Sequence, residues 1–227
     1  MDQRSNFYGR RRTHKLRDAR RAAFNRVMPA IKLNTEALDA NLDPAKLFES
    51  PVKSVWLEVG FGSGEHLFNQ SLANPEVGFI GCEPFVNGVA KLCQKIDTEN
   101  NTNIRIFMDD ARLLFSALNM QSVNRLFILF PDPWPKKRHY KRRIINSETI
   151  PLMHKFLVQG GELRIASDEP SYIHWILMHM SQEQGFIWSA KSREDWRNRK
   201  EDWPQTRYEK KALQAGRTPI FLTYKTK

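Results

Sequence analysis

The chain has 227 residues, a formal net charge of +11 and 41% hydrophobic content, enough for one sizeable α/β domain with a tail and too few for two full-sized ones. That charge suits a polyanion gripped through its phosphates better than an acidic protein, so nucleic acid is the leading partner class. Cys82 and Cys93 form no CxxC pair and no Cys/His cluster at zinc spacing, which argues against a disulfide framework and a structural metal. No run approaches the roughly 20 apolar residues of a membrane helix, and no secretory apolar core follows the first residues, so a soluble, cytoplasmic protein is expected.

In chain order, the first thirty residues carry nine Lys/Arg (Arg4, Arg10, Arg11, Arg12, Lys15, Arg17, Arg20, Arg21 and Arg26) against Asp2 and Asp18. This reads as a mobile or partly helical basic arm with too much like charge to enter a core; an RNA-contacting arm, a solubilising tail and a transit-like leader are the open readings. Residues 1–50 are taken as arm and connecting segment, with Pro44 and Pro51, and 51–227 as the domain proper.

From there strands and helices alternate. Strands are expected at 54–59, 77–83, 103–108, 126–130 and 161–166, with helices at 65–73, 87–98, 111–120, 149–158 and 171–183. Two last strands, 186–190 and 219–225, are separated by a long polar stretch rather than a clean helix, which suggests a terminal pair with one antiparallel member.

The chemistry-bearing residues fall where these strands end, the edge at which open α/β sheets bind ligands. Glu58-Val59-Gly60-Phe61-Gly62-Ser63-Gly64 is a glycine turn between strand and helix that lets a ligand approach the backbone. Its GxGxG spacing differs from the GxGxxG of dinucleotide sites, so adenosine without a pyrophosphate fits better. Glu83 is placed to accept ribose hydroxyls and Asp110 an adenine amino group; the bland alternative for each is a helix cap.

The continuously apolar run 126–130 suits a strand buried on both faces, which would deliver Asp132 to the sheet edge. Pro131 and Pro133 stiffen the turn, and Trp134 offers a face on which a base can stack. Lys136, Lys137, Arg138, Lys141, Arg142 and Arg143 follow without an acid, a phosphate grip that orients without reading sequence. A proline-rich turn with a buried tryptophan is the plain alternative. The six histidines form no ligand spacing.

Over nearly the whole chain these motifs resemble the bacterial tRNA (guanine-N7)-methyltransferases that modify guanine 46 of the variable loop. The match is carried by Arg10-Arg11-Arg12, by Leu57 to Gly64, by Asp110-Ala111 and most specifically by Pro131 to Arg143. The resemblance implies a class I S-adenosylmethionine-dependent (Rossmann-like) α/β fold, with a mostly parallel seven-stranded sheet, one antiparallel strand and helices on both faces. It assigns Glu58, Gly60, Gly62, Gly64, Glu83, Asp110, Ala111 and Asp132 to the cofactor and Asp132 to the active site. Lys136, Asp168, Thr206, Arg207, Tyr208 and Glu209 go to substrate binding, and Arg138, His139, Tyr140, Lys141, Arg142 and Arg143 to RNA. S-adenosylhomocysteine would be the by-product; no metal and no obligate protein partner are implied, leaving a monomer or homodimer.

Guanine N7 carries an in-plane lone pair, so methylation needs alignment and water exclusion more than a strong base. Asp132, Asp168 and Glu209 are therefore expected to accept from guanine N1 and N2 as positive charge develops. Three rivals remain: methylation of an exocyclic amine, a nicotinamide-dependent dehydrogenase and a non-catalytic RNA binder.

Overall fold

The computed structural model describes residues 15–34, 38 and 41–227. Arg4, Arg10, Arg11, Arg12 and His14 of the basic arm lie outside these residues. Two compact units divide after Asn119.

In the first unit, β1 (Lys32–Leu33), β2 (Ser54–Val59), β3 (Val77–Cys82) and β4 (Ile104–Phe107) pair in the order β1-β4-β3-β2, every pair parallel. All six residues of β3 are buried, as a run apolar on both sides requires when helices cover both faces. Those helices are α1 (Asp18–Ile31), α2 (Glu65–Ala73), α3 (Val86–Glu99) and α4 (Ala111–Ala117). Strands and α2 to α4 fall within a few residues of their expected bounds.

A partly helical arm is among the expected readings, but the seating of its helix in the core is not. α1 carries Arg20, Arg21 and Arg26, yet Ala23, Met28 and Ile31 are buried, and Phe24 and Val27 pack on the same core as Val89, Leu92 and Ile96 of α3. An apolar stripe at helical spacing seats the helix, while Arg20 reaches Gln94 at 3.2 Å and Arg26 reaches Asp97 at 2.5 Å.

In the second unit, β5 (Val123–Leu129), β6 (Leu157–Ser167), β7 (Phe186–Trp188) and β8 (Ile220–Thr226) run in the order β5-β6-β8-β7. β5 and β6 are parallel, and β8 is antiparallel to both neighbours. The seven expected strands are thus present with one antiparallel member, and the two-residue β1 is the addition. Helices α5 (Thr149–Phe156) and α6 (Pro170–Gln182) match the reading. The polar stretch before β8 does not: it holds α7 (Glu194–Arg197) and α8 (Arg207–Gln214). Trp203 between them is 1% exposed and meets Phe127 and Phe221 edge-on at 6.4 and 5.4 Å, so one indole fastens that segment to the sheet.

No helix among the described residues is long and apolar enough to cross a membrane.

Candidate active site

Register explains why the first unit's candidates converge. Val59 pairs with Cys82 and Cys82 with Phe107, so Gly60, Glu83 and Asp110 all leave the C-terminal edge of adjacent parallel strands. Gly60, Gly62 and Gly64 have φ of +73°, +59° and +72°, a region that side chains with a Cβ rarely enter. A Cβ on Gly60 would meet nothing within 4 Å, which leaves an open backbone cradle of the kind an adenosine moiety needs. Glu83 braces this turn from inside: its carboxylate accepts from Gly62 N at 2.8 Å and from Phe85 N at 3.0 Å. Lys91 of α3 reaches Ser63 Oγ at 3.3 Å.

Glu58 is buried beside His66, with Nδ1 to Oε2 at 2.7 Å. His66, one of the histidines that form no ligand spacing in the sequence, therefore holds the first acid of the glycine motif. Asp110 performs the cap that was the plain alternative: it accepts from Arg112 N at 3.0 Å, and the Arg112 guanidinium closes on the same carboxylate at 2.5 Å. Ala111 opens α4 and is buried.

In the second unit Leu129 pairs with Ala166, so Asp132 and Asp168 emerge from neighbouring parallel strands at one edge. Phe130 and Trp134 bracket the Pro-Asp-Pro turn with φ of +51° and +43°. Such positions cost about 1–3 kcal/mol each and persist only where surroundings over-determine them. Here Phe130 N donates to Ala166 O at 2.8 Å, and Arg143 Nε donates to Pro133 O at 2.8 Å. Asp132 keeps an exposed surface, yet the protein around it removes enough solvent to raise its carboxyl above the usual carboxylate range. The Trp134 ring is half-buried, with the Arg142 guanidinium 4.9 Å from its centroid and the His139 ring edge-on at 5.8 Å.

The basic run winds into a short 3-10 turn, Lys137–Arg142. Three residues per turn put Arg138 and Lys141 on one side, and both are exposed together with Lys136 and Lys137. His139 and Tyr140 are half-buried. Partial desolvation, then the charges of Arg142, Arg138 and Lys136, hold the His139 imidazole below its usual range. Arg143 departs from its expected role: it is 1% exposed, so its side chain offers nothing to an RNA backbone outside.

Asp168 is ion-paired with Arg217 at 2.5 Å. Thr206 caps α8, accepting from Glu209 N at 3.0 Å, so the Thr-x-x-Glu run reads structurally as a helix start. Glu209 does not complete the reciprocal box; it is 5% exposed and accepts from Arg199 Nε at 3.2 Å and Gln205 Nε2 at 3.3 Å. Its Oε2 is buried and accepts no hydrogen bond among the described residues. Arg207 and Tyr208 are exposed. His66, Arg199 and Arg217 were not singled out from sequence as partners of these acids, because each pairing depends on the fold.

A family model described as "Putative methyltransferase" matches residues 52–222. A tRNA (guanine-N(7)-)-methyltransferase of Rhodospirillum rubrum is 47% identical, covering 96% of this chain and 87% of its own length. One from Chelativorans sp. is 44% identical, covering 96% and 94%. Among solved structures, the 16S rRNA methyltransferase KamB superposes with a TM-score of 0.57 at 15% identity over 77% of this chain and 88% of its own. An rRNA methylase from Streptococcus thermophilus gives 0.52 at 13%, over 85% and 90%. These two share the α/β methyltransferase fold expected from the sequence. With the glycine turn, the Pro-Asp-Pro corner and this identity along nearly its whole length, the chain belongs to the family of tRNA (guanine-N(7)-)-methyltransferases.

Proposed function

We propose that the protein transfers the methyl group of S-adenosylmethionine to N7 of guanine 46 in the variable loop of tRNA, in the cytoplasm. The observation that carries this reading is the corner at 130–143, where a desolvated Asp132 sits beside Trp134 and is followed by exposed Lys136, Lys137, Arg138 and Lys141. The names of the relatives support guanine N7 in tRNA as the acceptor class.

When bound, S-adenosylmethionine supplies an electrophilic methyl carried on a sulfonium and leaves as S-adenosylhomocysteine. Gly60, Gly62 and Gly64 give it backbone without Cβ obstruction, Glu83 takes the ribose side, Asp110 and Ala111 the adenine side, and Glu58 stiffens the turn from below. The guanine lone pair is the nucleophile, so the chain's task is to orient and dry the ring. Asp132, Asp168 and Glu209 accept from N1–H and the N2 amino group, which become stronger donors as the purine turns cationic. Lys136, Arg138 and Lys141 hold phosphates, Arg207 and Tyr208 flank the substrate, and no proton leaves N7 because none is there.

The test is methyl transfer from labelled S-adenosylmethionine to unmodified tRNA, with nucleoside analysis and a second tRNA carrying adenosine at position 46. Formation of 7-methylguanosine that disappears in Asp132→Ala and in the substituted tRNA supports the proposal. Tight tRNA binding without a methylated nucleoside would overturn it in favour of a non-catalytic RNA binder.

A further inference from the structure

Arg143 ends a run of cations and looks from sequence like one more phosphate contact, but the fold turns it inward. Its guanidinium carbon lies 3.8 Å from the centroid of Tyr140, 4.9 Å from Tyr172 and 5.0 Å from Trp175. Those three rings form a cage for a cation on the walls supplied by the 3-10 turn and α6. Nε donates to Pro133 O at 2.8 Å and Nη2 to Ser171 Oγ at 3.4 Å, while Nη1 is buried and donates to no atom among the described residues. Every observed acceptor is neutral, although an arginine so buried ordinarily has a carboxylate.

We infer that Arg143 is a positioning residue of the methyl-transfer reaction: caged by Tyr140, Tyr172 and Trp175, it grips the Pro133 carbonyl and thereby sets the backbone on which Asp132 and Trp134 meet the guanine. The inference rests on the reading of the corner as the guanine site. Its geometry is specific. Pro133 precedes Trp134, whose φ of +43° is held against its intrinsic preference, and the bond from Arg143 fixes the carbonyl between these two residues. The other end is equally tied. Arg143 N donates to Tyr140 O at 3.0 Å, Asn146 Nδ2 donates to Arg143 O at 2.8 Å, and Trp175 Nε1 donates to Ile145 O at 2.7 Å. The Tyr172 ring of the cage also senses the corner: its hydroxyl, raised chiefly by burial, is pulled down by the Ile145 backbone and by Arg143 and pushed up by Asp132. Lysine cannot reproduce this, because an ammonium lacks the flat fork that stacks on a ring while donating along its edge.

The experiment compares full-length wild type, Arg143→Lys and Arg143→Met in methyl transfer to unmodified tRNA, in tRNA binding at two salt concentrations, and in thermal melting. A misplaced reacting group loses rate without losing the distant phosphate contacts, so both variants should show kcat lowered about 10-fold to 100-fold. Their tRNA Kd and its salt dependence should stay within about twofold of wild type, since a buried cation releases no counterions. Three results would overturn the inference: unchanged kcat in both variants; a weaker Kd with a shallower salt dependence, which would make Arg143 a phosphate contact; or global unfolding of Arg143→Lys, which would make it a core-stability element. If wild type itself forms no 7-methylguanosine, the functional reading fails instead, and the two failures are separate.

Discussion

Gly88 of α3 lies against the carbonyl of Gly62: a methyl group on Gly88 would stand 2.1 Å from that oxygen. The helix therefore rides directly on the backbone of the glycine turn, with no side chain between. Gly88→Ala must push the two apart, and the contact on the other side is backbone, which does not yield cheaply. We expect S-adenosylmethionine affinity measured by calorimetry to fall about tenfold or more, with a loss of about 1–3 kcal/mol in stability. Gly60→Ala is the control for strain alone, since its Cβ meets nothing within 4 Å and only its φ of +73° resists; its stability cost should be about 1 kcal/mol.

The buried pair of Glu58 and His66 predicts a second stability defect in the same unit. His66→Ala takes away the group 2.7 Å from a carboxylate that is 3% exposed, and leaving a buried acceptor short of a partner costs about 1–3 kcal/mol. Chemical denaturation should show that loss. His66→Asn, which can still donate to Oε2, should recover part of it, and equal losses in the two variants would mean that volume rather than the hydrogen bond matters.

Asp132 gives a pH signature. Desolvation raises its folded carboxyl above the unfolded value, so the folded state prefers the protonated form, and this group's contribution to stability diminishes as pH rises through that range. Asp132→Asn should therefore melt no lower than wild type near neutral pH while losing methyl-transfer rate more than tRNA affinity. The acid limb of kcat/KM in wild type should lie above the usual Asp value of about 3.9 and vanish in the variant. Equal losses of rate and affinity would contradict an electrostatic and positioning role.

The exposed cations predict the opposite pattern. Arg138→Ala and Lys141→Ala should each weaken tRNA binding while reducing the salt slope by about one, with kcat on saturating tRNA little changed. Because neighbouring cations hold His139 below its usual range, phosphates arriving beside it should raise its affinity for a proton. Binding should then tighten as pH falls through the range in which this imidazole takes up its proton, and His139→Gln should flatten that dependence.

Strand positions and the site edge were legible because the strands of this chain announce themselves: Val55, Leu57, Phe79 and Ile80 alternate with glycine turns that have few other uses. α1 and α8 were harder for one shared reason. Their charges outnumber their buried side chains, so the stripe of Ala23, Met28 and Ile31, or the lone Ala212 beside Glu209, is drowned in composition. The corner's chemistry was visible in Asp132 and Trp134. The inward turn of Arg143 was not, because a run of cations has one sequence signature whether its last member faces water or three rings; Tyr172 and Trp175, three apart on α6, were the only hint. Asp168 and Glu209 were named, but their partners Arg217 and Arg199 lie 49 and 10 residues away and become neighbours only through the fold.

Both cysteines of the chain, Cys82 at the end of β3 and Cys93 within α3, are buried in the first unit, and burial pushes both thiols up, Cys93 to about 12. The folded protein thus carries a silent chemical clock. An alkylating reagent added to the native enzyme reads how often the half that bears the glycine turn breathes open, while the half that bears the Pro-Asp-Pro corner, with no cysteine in its sequence, contributes no background.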